Sequence, residues 1–162
     1  MADPLYVIIR VLHVGSAIAL IGGATLWGTR IMPTLAQLGP TLPKGAIPTL
    51  GNRVVNFLPA AGLATFLTGL LLFWQLGGFS TPANPWSMLL GTALLLTLVM
   101  LILSFGVMKP SWKKLSQAMG AAAGPPGPEM MALSKRMKSV SMANLAIGWT
   151  IVLLMVVATA TR

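Results

Sequence analysis

The chain has 162 residues, 56% of them hydrophobic and 8% charged, with a mean hydropathy of +0.84; so few charges cannot clothe a water-facing surface, which excludes an ordinary soluble domain. Eleven Lys and Arg against two acids leave +9, and beside so apolar a composition that excess points to anionic headgroups and topology signalling rather than nucleic acid. There is no cysteine, so disulfides, thiolate metal sites and thiol chemistry are excluded.

Four stretches reach the roughly 20 apolar residues that cross a hydrocarbon core about 30 Å thick: residues 5–32, 54–76, 86–108 and 140–160. All are expected to be α-helices, because an open strand would leave backbone groups unpaired in lipid. No stretch shows the period of two that a barrel strand requires. The predicted fold is therefore an all-α membrane protein, four transmembrane helices in one antiparallel bundle forming a single domain over 1–162. The first stretch is about twice as long as a signal-peptide core and no small-x-small site follows it, so it is expected to remain in the mature protein.

The first stretch carries two polar intrusions, Arg10 and His13. At roughly 100° per residue, His13 shares a face with Tyr6, Arg10, Ala17, Leu20, Ala24 and Trp27, while Gly15, Ala19 and Gly22 run down another side. Lipid supplies no hydrophobic drive between helices, so close packing needs small residues. Gly62 and Gly69 in the second stretch and Gly148 in the fourth, with Ser141 and Asn144, are further seam candidates. The expectation is that the Gly15, Ala19, Gly22 side packs inside the bundle and the His13 face meets a cofactor or another subunit; the reverse assignment is the alternative.

The first connection, 33–53, contains Pro33, Pro40, Pro43 and Pro48, which argue against a long regular helix there. The second, 109–139, opens with SWKKLSQAM, where Trp112, Leu115 and Met119 share one helical face and lysines another, as in a short amphipathic helix lying on the inner leaflet. GAAAGPPGPE then reads as a mobile linker, with a new helix from near Met130. Four spans put both termini on one side, where Arg10 and Arg162 are the cations. The other side receives Arg30, Lys44, Arg53, Lys109, Lys113, Lys114, Lys135, Arg136 and Lys138. Nine against two places the connections in the cytoplasm and both termini outside, with anionic inner-leaflet lipids as partners.

His13 lies roughly 12 Å below the outer end of its helix, and an ionisable residue at such depth is a functional candidate. It either makes an interhelical hydrogen bond, with Thr68 or Thr92 at similar depth, or serves as a haem or metal ligand. One histidine rules out a bis-histidine site within the chain. Met155 is the methionine nearest in depth for a second axial position, with a five-coordinate haem or a histidine from a partner chain as equal alternatives, and Arg10 could meet a propionate or snorkel to the headgroups. Soft thioethers also suit copper(I), but the eleven methionines are scattered. Both acids, Asp3 and Glu129, lie outside the spans, and no nucleophile constellation or phosphate loop occurs, so no self-contained catalytic site is expected.

Arg10-Val-Leu-His13, followed by Gly22-Gly23, Trp27 and Met32-Pro33, resembles the opening helix of the CopD-like group of small bacterial membrane proteins, and Met108-Lys109-Pro110 with the basic segment after it is similar to theirs. The resemblance implies a four-helix fold in the bacterial inner membrane and, in some branches, haem b or copper association through the first-helix histidine, here His13. Protoporphyrinogen oxidases of the HemJ type are more distantly similar through the same histidine. The further polar residues expected of such an oxidase are not in this chain. The implied role is a haem b-associated or accessory subunit of a membrane electron-transfer complex, working with other membrane subunits; the alternatives are copper handling or a purely structural subunit.

Overall fold

The computed structural model describes residues 3–38, 42–43, 45–80, 84–121 and 127–160. Among the described residues six α-helices run in order: α1 (Pro4–Leu26), α2 (Met32–Leu38), α3 (Ala46–Gln75), α4 (Pro85–Leu103), α5 (Lys109–Ala121) and α6 (Pro128–Ala160). π-helical turns at Trp27–Ile31 and Ser104–Met108 join α1 to α2 and α4 to α5 without a break. The chain thus forms four continuous helical rods, each long and apolar enough to cross a bilayer, in an all-α antiparallel bundle. α1 packs chiefly on α3, and α4 chiefly on α6.

Local signals account for the rod ends. Asp3 accepts the Leu5 amide at 3.0 Å and Pro4 opens α1, where a missing N–H costs nothing. Asn84 and Ser87 form a reciprocal capping box at the start of α4, with the Ser87 amide donating to Asn84 Oδ1 at 2.8 Å and the Asn84 amide to Ser87 Oγ at 3.2 Å. α3 ends where Gly77 takes a φ of 76°, a conformation open to glycine, and Gly78 donates back to the Phe73 carbonyl at 2.9 Å. Phe73 then meets Phe79 edge-on at 4.8 Å and stacks on Trp86 at 6.3 Å, closing the α3–α4 hairpin.

The connections are more helical than their prolines suggest. The first rod runs past residue 32 to Leu38 through Pro33, and α3 begins at Ala46 with Pro48 in its first turn, where proline removes no ladder bond. Each π turn stands immediately before an X-Pro pair, Met32-Pro33 or Lys109-Pro110. A proline ring clashes with the carbonyl four residues back; those carbonyls belong to Thr29 and Gly106, and both lie inside the widened turns. The π turn moves the obstructing carbonyl and lets the helix continue. Pro40, Lys44, Arg162 and residues 122–126 of the expected Gly/Pro linker lie outside the described residues.

Two apolar clusters hold the rods together. At mid-bundle, Leu20, Ala61 and Met100 are buried, with Ala19, Ile21, Leu58, Ile147 and Ile151 packed around them. The second cluster, at the connection end, corrects an expectation. The face of α5 assigned to the inner leaflet is turned onto protein: Trp112 is 2% exposed and, with Val55 and Leu115, is ringed by Ile47, Met119, Met130, Leu133 and Met137. Because α5 continues α4, its apolar face is aimed by the rod, and α3 and α6 extend far enough to cover it. The indole lies flat on Gly51, where a methyl group would overlap it, and Nε1 donates to Asn52 Oδ1 at 2.8 Å.

This packing predicts that Trp112→Ala lowers stability by about 3–5 kcal/mol, Trp112→Phe by about 1 kcal/mol for the lost hydrogen bond, and Gly51→Ala by about 1–3 kcal/mol through overpacking. Thermal unfolding in detergent checks all three; a Gly51→Ala protein that melts with the wild type contradicts the stacked indole.

Candidate functional site

His13 sits on the inward face of α1. The residue is 9% exposed, and its ring rests on the bare Cα of Gly69 in α3, where a Cβ would come 2.8 Å from Cε1 and 3.3 Å from Nδ1. Nδ1 lies 3.0 Å from the Thr65 carbonyl oxygen and 3.2 Å from Thr68 Oγ1. A carbonyl only accepts. The Thr68 hydroxyl gives its own proton to the Ala64 carbonyl at 2.6 Å, so it offers His13 a lone pair. With acceptors on both sides, Nδ1 must carry the proton and Nε2 the lone pair.

Ser16 braces the same seam. Its hydroxyl donates to the His13 carbonyl at 3.0 Å, and the Thr65 hydroxyl lies within reach of both Ser16 Oγ at 3.0 Å and the Ala61 carbonyl at 2.8 Å. Four polar side chains from two helices therefore satisfy one another in the apolar layer. Nε2 makes no hydrogen bond among the described residues and is not one of the enclosed unpartnered atoms. Thr68 is legible in the sequence by its depth, whereas Ser16 and Thr65 are signalled only by spacing, Ser16 three residues after His13 and Thr65 three before Thr68.

The two faces of α1 are opposite to the favoured expectation. Gly15 and Gly22 have nothing within 4 Å of a Cβ position, and the side carrying His13, Leu20 and Trp27 is the buried one. Larger side chains with a hydrogen-bond donor outcompete bare glycines for the interior once the partner helix provides the hollow. That hollow comes from α3: Gly62 receives Leu20 and Leu101, and Gly69 receives the imidazole. Ala19 packs beside the mid-bundle cluster. Gly148 of α6 meets Ile21 and Met100, and Gly23 of α1 faces Leu58.

Arg10 is exposed, one turn from His13 toward the terminal end, and Met155 is half-buried on α6. The partners of the His13 ring come from α3, and Met155 is not among them. A second polar point lies nearer the connection end. Asn144 Nδ2 donates to Ser104 Oγ at 3.2 Å, while Asn144 Oδ1 is buried with no partner among the described residues. Ser141, one turn before it, faces Gly28 in the other π turn, where a Cβ would lie 3.9 Å from Ser141 Oγ.

The ring state suits one axial bond to a haem iron, since a ligating histidine is held by an N–H donated from its other nitrogen to a carbonyl or similar acceptor. Among the described residues, no second ligand for such an iron is brought to the ring. Nor does the site suit a copper ion held by this chain alone: no three His, Asp or Glu side chains converge among the described residues, and Met100, Met119, Met130 and Met137 are used as packing. Fold and site together define a multi-pass membrane protein of the four-helix class. Comparison of the chain with protein-family models, with curated proteins and with solved structures finds no match in any of the three.

An orphaned buried oxygen costs about 1–3 kcal/mol. Asn144→Leu, similar in volume and without that oxygen, is therefore expected to melt at or above the wild-type temperature. A loss of about 2 kcal/mol or more would mean that Oδ1 finds a donor in the bilayer which the chain does not supply.

Proposed function

We propose that this chain is a non-catalytic accessory subunit of a membrane electron-transfer complex, associated with a haem b through His13. One observation carries the reading: Nδ1 of the imidazole lies against the Thr65 carbonyl and the Thr68 hydroxyl, which leaves Nε2 as the nitrogen that a haem iron would meet. His13 would hold the iron from one side, Arg10 would meet a propionate, and a partner subunit would close the other side. A bound haem would supply one-electron redox chemistry; this chain would supply a ligating nitrogen, its orientation and an apolar surround. The resemblance of the first helix to CopD-like proteins supports the same assignment.

A purely structural role is the second reading, favoured by the depth of the ring in the α1–α3 seam. The two differ in one measurement. On the haem reading, the chain purified with haem shows a Soret band that is lost in His13→Ala while the protein stays folded. An identical spectrum with and without His13 leaves only the structural role.

The cation distribution supports a cytoplasmic location for the connections in a bacterial inner membrane, with both termini outside. Lys109, Lys113, Lys114, Lys135, Arg136 and Lys138, all exposed, would there face anionic phosphates. Because the chain has no cysteine, single cysteines report the orientation cleanly. A membrane-impermeant maleimide applied to intact cells should label Ser80→Cys and leave Ser134→Cys unlabelled until the membrane is opened; the reverse pattern rejects the placement.

A further inference from the structure

We infer that Gly69 is the positioning residue of the His13 site: its missing side chain is the notch that seats the imidazole with Nδ1 on α3 and so decides which ring nitrogen is free. At Gly69 a Cβ would lie 2.8 Å from His13 Cε1 and 3.3 Å from Nδ1, closer than carbon atoms pack, and the obstacle is a rigid ring. The ring would have to withdraw from α3. Withdrawal lengthens both the 3.0 Å contact with the Thr65 carbonyl and the 3.2 Å contact with Thr68 Oγ1, because both acceptors lie on the helix that carries the glycine. No polar group is altered, yet both restraints on the tautomer are lost together.

Helix propensity works against this substitution being neutral by accident. Alanine is the better helix former, so Gly69→Ala should favour α3 itself while unseating His13. The other glycine of this kind in α3, Gly62, faces Leu20 and Leu101; its substitution crowds flexible aliphatic chains and touches no part of the ring.

The test is nitrogen-15 NMR of His13 in the cofactor-free protein in detergent or bilayers, which separates a protonated ring nitrogen from one bearing a lone pair. The wild type should show one fixed tautomer, protonated at Nδ1. Gly69→Ala should show the two nitrogens averaged or reversed, while Gly62→Ala, which leaves the notch and both acceptors in place, keeps the wild-type signature. Proton residence on Nε2 in the wild type, or a Gly69→Ala spectrum unchanged from it, overturns the inference; so does equal loss of the signature in Gly62→Ala, which would mean general loosening of the bundle.

The consequence for a cofactor rests on the haem reading above and is measured separately, by titrating haem into each variant. Gly69→Ala should bind it about 10–100-fold more weakly, with Gly62→Ala near wild type. If the wild type holds the Nδ1–H tautomer and takes up no haem, the haem reading falls and the role of Gly69 stands.

Discussion

The seat of one imidazole on one glycine organises the terminal half of this bundle. A histidine in an apolar layer needs a partner for its ring N–H, because a polar group left bare in hydrocarbon costs several kcal/mol. α3 meets that need from its backbone. The Thr65 carbonyl, already part of the helix ladder, takes the extra bond from Nδ1, and Thr68 adds a lone pair. The backbone can come that close only where no Cβ intervenes, at Gly69. The same contact ties α1 to α3 and orients Nε2, so packing and the candidate chemistry are one arrangement. An interhelical hydrogen bond in a membrane contributes only about 0.6–2 kcal/mol, so the specificity of the seat matters more than its strength.

The backbone constraint also explains the connection end. Prolines in a bilayer are tolerable only if the carbonyls they displace are accommodated, and here two π turns ahead of Pro33 and Pro110 do this without ending the helix. The rods consequently run on past the apolar stretches. α3, α5 and α6 meet there around Trp112, and a second core forms beside the basic residues. Its indole finds Asn52 at 2.8 Å and lies on Gly51, a second case in which a bare Cα admits a ring that would not otherwise fit. The lysines of α5 stay exposed because the apolar face is occupied by protein.

Between the two cores, the Asn144 amide is only half paired. Ser104 takes its NH₂ group, but its oxygen has no donor among the described residues. Most hydroxyls of the spans, by contrast, are returned to their own helix: Thr25 to Ile21 at 2.7 Å, Thr29 to Thr25 at 2.7 Å, Thr92 to Met88 and Thr97 to Ala93 both at 2.8 Å. These self-satisfied residues cost the bundle little and carry no interhelical specificity. Ser16, Thr65 and Thr68 differ because they reach across to another helix.

Composition and run length alone determined that the chain is helical, crosses a bilayer four times and returns its termini to one side, since lipid permits few other ways to bury this much backbone. They also marked His13 as the unusual residue, because only its depth in an apolar run had to be read. The glycines that admit neighbours, Gly62, Gly69 and Gly148, could be picked out as points of close approach, but what enters each could not. Tertiary structure decided which side of α1 turns inward, sending Gly15 and Gly22 outward and His13 inward, and it turned the Trp112 face from the lipid surface to protein. Periodicity defines the faces of a helix; which face wins depends on the hollow and the acceptors presented by another helix some fifty residues away, and no local pattern encodes that pairing.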